Sequence, residues 1–284
     1  MNVSLFGLGI IGTIWADHLA ADGHHVRGWN RSPKGLPYFT PDARDAAEGA
    51  EFLILVVADP PAVQSVLDQI LPVLKASQTV IQSSTIDAES SRSFARQVRA
   101  TGAAYLEAPF TGSKPAAEAR KTVFYTGGEA ADLERARPLL SSLGRAIVPI
   151  GPVGAAASIK LALNLNLALA AEALCEGLAF ARASGIDDET FFSALRLNAA
   201  WSGLAELKEP KLKAGDYAPQ FSLQHMGKDL RLARAAAPDR PLPQLDALLD
   251  LYRRGFEQGW AADDFVCLSR LLNEDGERRT GAPA

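Results

Sequence analysis

The amino-acid sequence predicts an α/β protein: a doubly wound sheet at the N-terminal end, a long interdomain helix, and an all-α C-terminal part. Three observations lead there. A strand, a glycine turn, a helix and a second strand follow one another through residue 29. Buried-strand and helix patterns then alternate as far as residue 151. From that point an apolar run of helix formers continues to Gly185, and only helical periodicity comes after it.

A chain of 284 residues is long enough for two cores, and the expected division is 1–151 and 152–284. Hydrophobic residues at 48% and charged residues at 22% are ordinary for a globular protein. A net charge of -4 with no basic run argues against nucleic acid as a partner. Cys175 and Cys267 have neither metal-ligand nor disulfide-framework spacing, so no metal is expected and both read as small core residues. The chain opens directly on a strand without a leader pattern, which with the sparse cysteines suits a cytoplasmic protein. The long helix is interrupted by Lys160, Asn164, Asn166, Glu172 and Glu176, so it reads as a helix enclosed by protein, with no membrane as partner.

The first strand is 2–6, and Gly7-Leu8-Gly9-Ile10-Ile11-Gly12 follows at once, opening a helix to about residue 21. This is the Rossmann dinucleotide signature in its proper context. Gly7 permits the tight turn, Gly9 lets the backbone approach a diphosphate, and Gly12 lets the helix pack on the strand. The helix N-terminus then offers free N–H groups to the anion. The second strand, 25–29, ends in Asn30-Arg31-Ser32 with Lys34 beyond. An acidic residue there would hold the ribose 2′-hydroxyl of NAD. Here no carboxylate is present, while Arg31, Ser32 and Lys34 supply charge and hydrogen bonds for a 2′-phosphate, so the expected cofactor is NADP(H).

Strands at 51–57, 79–82 and 103–107 alternate with helices at about 60–74 and 87–100. The unbroken apolar run 51–57 reads as a buried parallel strand, and a strand at 123–126, a helix over 130–143 and a strand at 146–150 complete the sheet. The loops at the carboxyl ends of such strands face one crevice, which brings Val57, Ala58 and Thr85 toward the cofactor. The loop after Glu107 carries Thr111, Gly112 and Ser113, two hydroxyls and a freed backbone that can cradle a carboxylate. Further helices are expected at about 189–198, 203–214, 223–236, 244–258 and 263–272, with a polar tail from residue 273.

In the long helix Lys160 and Asn164 are four apart and share a face. By themselves they read either as a snorkelling lysine with a nearby polar residue or as a placed acid with its orienting amide. His225 lies three before Lys228 and four before Asp229; it is a second acid or a surface histidine, and no chemistry attaches to His18, His24 or His25. Trp201 and Trp260 read as core or interface residues, and Glu172 and Glu176 are expected to pair with a neighbouring Lys or Arg.

Together, GLGIIG at Gly7, SSTID at Ser83, EAPFTGS at Glu107, the GxxGxxxxxKLxxN spacing ending at Asn164, and FSLQHMGKDL from Phe221 resemble the β-hydroxyacid dehydrogenase family over essentially the whole chain. The loop from Glu107, with its Ser113-Lys114-Pro115-Ala116-Ala117-Glu118 core, is most similar to the glyoxylate and succinic semialdehyde reductases within it. The resemblance implies that Lys160 exchanges the proton at the substrate oxygen and that Asn164 orients it. It implies that Thr85 lies near the nicotinamide, that Thr111, Gly112 and Ser113 hold the substrate carboxylate, that Lys228 binds cofactor, and that Phe221 and Asp229 adjoin the substrate. A homodimer or homotetramer that reduces a small aldehyde or keto acid is expected. Phe110 and Thr111 stand where the family has a small aliphatic residue and a serine, so Phe110 is a candidate to reshape the pocket. The alternatives are an NADPH-dependent imine reductase, which the resemblance disfavours because that group has another residue at the position of Lys160, and a non-catalytic NADP-binding module.

Overall fold

The computed structural model describes residues 1–272; the polar tail expected from residue 273 lies outside them. The chain divides into two compact units, Met1–Leu161 and Ala162–Ala284. The division falls inside the long helix, after about two of its turns.

The first unit is built on one sheet. Its strands are β1 (Asn2–Phe6), β2 (His25–Trp29), β3 (Phe52–Leu55), β4 (Thr79–Gln82), β5 (Ala104–Glu107), β6 (Phe110–Thr111), β7 (Thr122–Gly127) and β8 (Gly144–Gly151). Their order is β2-β1-β3-β4-β5-β7-β6, with β8 also paired to β7. Side chains alternate between two cores, as a strand buried on both faces requires. Leu53, Leu55, Val80 and Tyr105 enter one core, and Phe52, Ile54, Ile81 and Leu106 enter the other. Helices α1 (Ile10–Ala21) and α6 (Ala130–Leu143) cover the second face. The first is covered by α2 (Ala43–Ala47), α3 (Pro60–Ile70) and α4 (Ala88–Ala100).

The sheet is mixed: β7 pairs antiparallel with β5 through Glu107 and Gly127, while β8 runs parallel to β7. The connection from β5 to β7 is taken up by β6 and by α5 (Lys114–Glu118), and it contains no crossover helix long enough to return β7 parallel. The helix expected to reach residue 74 ends at Ile70, and a 3₁₀ turn over Leu71–Val73, with Pro72 inside it, finishes the segment.

The sheet's order reverses between β1 and β3, and the crevice beside the carboxyl ends of those strands is where open α/β sheets bind ligands. Asp59 caps α3 by accepting the Ala62 N–H, and Asp87 caps α4 by accepting that of Ser90, so both helices start sharply at this edge.

The long helix, α7 (Ala155–Ala183), runs from the first unit into the second. It is long and apolar enough to cross a bilayer, with 39% of its most apolar window buried inside the protein. The second unit adds α8 (Asp188–Arg196), α9 (Gly203–Ala214), α10 (Leu223–Ala236) and α11 (Pro243–Glu257). The run expected as one helix over 263–272 begins instead as a 3₁₀ turn, Phe265–Leu268, because the Asp264 carboxylate takes the Val266 N–H. Asp264 is fully buried, and its other hydrogen bonds come from the Gln220 and Phe221 N–H groups and from Lys208 Nζ at 2.8 Å. Lys208 is equally buried and lies over the Phe265 ring. This pair ties α9 to the segment that leads into α10. Cys175 and Cys267 are free and buried, and burial raises both thiols above their ordinary range.

Candidate active site

In the first unit the glycine turn joins β1 to α1. Gly7 has φ +106°, and a Cβ there would lie 2.3 Å from the Val56 carbonyl oxygen. A Cβ at Gly12 would lie 1.9 Å from the Gly7 oxygen. Both glycines are therefore demanded by packing. Gly9 differs: a Cβ there would meet no atom within 4 Å. It is the N-cap of α1 and provides no side chain to that helix's first N–H groups. Ile10 beside it is 59% exposed, Ile11 is half-buried and Leu8 is buried. Backbone that opens freely at a helix N-terminus fits a dinucleotide diphosphate.

Asn30, a candidate for cofactor contact, has its side chain engaged within the fold. Oδ1 accepts the Leu8 N–H at 3.1 Å and Nδ2 donates to the Ser32 carbonyl at 2.9 Å, so Asn30 fastens the glycine turn to the end of β2. Arg31, Ser32 and Lys34 are exposed, and among the described residues no carboxylate pairs with either cation. Val57 and Thr85 are half-buried and Ala58 is exposed at the ends of β3 and β4. The Val57 N–H donates to Ser84 Oγ at 2.8 Å, and Gln82 clasps the Ser84 backbone through both ends of its amide. Ser84 Oγ thus fixes the two crevice loops to each other while Gln82 holds the Ser84 backbone; the Val57–Ser84 bond crosses between strands, so nothing local in the sequence marks it.

Thr111 pairs with Val123 in the sheet, and Gly112 follows with φ +122°, where a Cβ would press on that of Ala116 at 3.0 Å. Ser113 is the N-cap residue of α5, yet its hydroxyl makes no cap bond. Phe110 is half-buried; its ring packs edge-on to Trp15 at 4.8 Å and near Phe124 at 6.4 Å, against the core under α1.

Lys160, 8% exposed, sits in the second turn of α7. The start of that helix is held by the fully buried Glu107, whose Oε2 accepts the Ala156 N–H at 3.2 Å. Burial raises the Glu107 carboxyl above the usual carboxylate range; Ser91 and the backbone N–H groups of Gly154, Ala156 and Ala157 act against that.

In the second unit, Asn164 Nδ2 donates to Asp229 Oδ2 at 2.6 Å. Lys228 Nζ forms an ion pair with Asp229 Oδ1 at 2.7 Å, and both Asn164 and Asp229 are buried. Asn164, Lys228 and Asp229 are thus brought together. Phe221 lies just ahead of α10 and stacks with His225 at 6.4 Å, and Ser222 Oγ is 2.6 Å from His225 Nδ1. Arg196 lies over Trp201, and Arg270 over Trp260. Glu172 and Glu176 have no Lys or Arg partner among the described residues, contrary to expectation; Glu172 Oε1 is buried without a hydrogen bond. Among the described residues no cluster of His, Cys, Asp or Glu could hold a metal ion.

A Rossmann sheet with an open glycine turn, joined through one long helix to an all-α unit with a buried Asn–Asp–Lys cluster, defines an NAD(P)-binding oxidoreductase. Residues 2–151 match the family described as the NAD binding domain of 6-phosphogluconate dehydrogenase. Residues 154–272 match the one described as NAD-binding of NADP-dependent 3-hydroxyisobutyrate dehydrogenase. The chain belongs to the β-hydroxyacid dehydrogenase family. It is 31% identical to 2-hydroxy-3-oxopropionate reductase of Escherichia coli (strain K12), over 96% of this chain and 97% of the relative. It is 28% identical to glyoxylate/succinic semialdehyde reductase 1 of Arabidopsis thaliana, over 93% of this chain and 96% of that one. The structure of Mycobacterium tuberculosis 3-hydroxyisobutyrate dehydrogenase with L-serine superposes with a TM-score of 0.87 at 25% identity, covering 95% of this chain and 98% of that one.

Proposed function

We propose that this enzyme uses NADPH to reduce a small aldehyde or keto acid, of the glyoxylate or succinic semialdehyde type, to the hydroxy acid, reversibly. The observation that carries the reading is a buried lysine, Lys160, on a helix whose start is anchored at the end of β5, four residues ahead of Thr111. The names of the Escherichia coli and Arabidopsis thaliana relatives support the substrate class.

When bound, the nicotinamide supplies the hydride. Lys160 Nζ, as an ammonium, hydrogen-bonds the carbonyl oxygen, donates its proton as negative charge builds there, and regains one from solvent. The Thr111 and Ser113 hydroxyls and the Gly112 backbone orient the substrate carboxylate, with Phe221 and Thr85 beside it. Asn164 orients the lysine or the substrate, and Lys228 assists in holding cofactor. Arg31, Ser32 and Lys34 receive the 2′-phosphate, which is the ground for preferring NADP(H) to NAD(H). A homodimer or homotetramer belongs to the same reading, supported by the exposed apolar side chains of Leu163, Phe180 and Leu197. So does a reducing cytoplasm, which suits two free thiols.

The test is NADPH consumption with glyoxylate, succinic semialdehyde, a bulky aldehyde and a cyclic imine. Turnover of a semialdehyde or keto acid is expected. Turnover of the imine alone would overturn the assignment, and NADPH binding without turnover of any of the four would make the chain a non-catalytic binding module.

A further inference from the structure

Glu107 closes β5 and directly precedes the 108–113 loop, and it is 0% exposed. Its Oε2 accepts the Ala156 N–H at 3.2 Å, and the neighbouring Gly154 and Ala157 N–H groups favour its charged form. These are the N-cap and opening residues of α7: the Gly154 carbonyl accepts the Ser158 N–H at 3.1 Å, and Gly154 has φ +98°. The socket is tight on two sides. A Cβ on Gly127, the sheet partner of Glu107, would lie 2.3 Å from Oε2, and a Cβ on Gly154 would lie 2.8 Å from Arg92 Nε. Lys160 comes one turn after Ala156. A single carboxylate therefore fastens the start of the lysine-bearing helix to the strand that launches the 111–113 loop.

We propose that Glu107 is the positioning residue for Lys160, setting the height and rotation of the first turn of α7 against the 111–113 loop. The inference rests on the reading of Lys160 as the proton donor. Stability alone does not account for Glu107. Burial raises its carboxyl, and among the described residues no group hydrogen-bonds Oε1.

The experiment compares wild type, Glu107→Ala, Glu107→Gln and Glu107→Asp. For each, kcat is measured with NADPH against glyoxylate and succinic semialdehyde, NADPH affinity by fluorescence titration, and amide hydrogen exchange over residues 155–161. Glu107→Ala is expected to lower kcat by about 10- to 100-fold, as misplacement of a reacting group by about 1 Å does. NADPH affinity should hold while exchange over 155–161 rises, and Glu107→Gln, with its length and acceptor kept, should recover most of kcat. Unchanged kcat in a folded Glu107→Ala, or unchanged exchange over 155–161, would overturn the proposal. If Glu107→Ala does not fold, the shortened carboxylate of Glu107→Asp decides: reduced kcat supports the role and wild-type kcat defeats it. Absence of turnover in the wild type with either probe counts against the proposed reaction, and the exchange measurement still decides whether Glu107 holds the helix start.

Discussion

Asn164 donates its amide to Asp229 at 2.6 Å, and Asp229 in turn faces Lys228 at 2.7 Å. The asparagine thus reaches across from α7 to α10, and its place in the site is fixed by that bond. Asn164→Ala removes a hydrogen bond to a buried carboxylate and should cost about 1–3 kcal/mol in urea denaturation. Asn164→Asp sets a second carboxylate against the first. It should destabilise more at about pH 8 than at about pH 5, because protonating either carboxyl restores a donor.

Lys160→Ala should lower kcat by about 10²–10⁴-fold with the best carbonyl substrate, the usual contribution of a placed general acid. NADPH titration of the same variant should give an unaltered dissociation constant. Near-normal turnover would remove Lys160 from the chemistry.

Arg31 stands exposed past the end of β2, without a carboxylate partner among the described residues. Arg31→Asp places at that edge the kind of group that bonds a ribose 2′-hydroxyl and repels a 2′-phosphate. The ratio of kcat/KM for NADPH over NADH should fall by about tenfold or more, the scale of one charge-assisted hydrogen bond. An unchanged ratio would show that the 2′-phosphate is held elsewhere.

Glu172 titrates near neutrality. Burial first, and the neighbouring Glu176 charge second, push its carboxyl up to about 7. A raised acid pKa contributes its full stability below the unfolded value, near 4.5, and loses it as pH climbs through about 7. Glu172→Gln should therefore match wild type in thermal denaturation at about pH 5 and exceed it at about pH 8.5, by roughly 1–3 kcal/mol after allowance for partial exposure.

Lys208 and Asp264 form an ion pair that is almost wholly enclosed, 2% and 0% exposed at their side chains. Lys208→Met leaves the Asp264 charge buried without its cation and should destabilise by about 3–5 kcal/mol in chemical denaturation. Loss of less than about 1 kcal/mol would mean that the three backbone N–H groups on Asp264 suffice without the lysine.

The strands and long helices were legible because their signals are local. Phe52–Leu55 is an unbroken apolar run, and α7 is 29 residues of helix formers. Short elements escaped: α2 and α5 have five residues each and β6 has two, too few to show a period. The glycine turn and Lys160 were legible from residue type and spacing. The roles of Asn30, Ser84 and Glu107 were not, since each depends on a partner brought near by the fold: Leu8 for Asn30, Val57 for Ser84, the start of α7 for Glu107. The packing of Phe110 on Trp15 was hidden for the same reason, as nothing near it in sequence announces that contact.

The tether from Asn30 to Leu8 has a thermodynamic consequence. With Gly7 and Gly12 locked by packing and the turn tied to β2, the ordering entropy of the phosphate loop is settled when the chain folds. Nucleotide capture then resembles the closing of a key in a finished lock. Its on-rate should be set by diffusion and charge, and Asn30→Ala should slow association by making the loop search for its shape before it can bind.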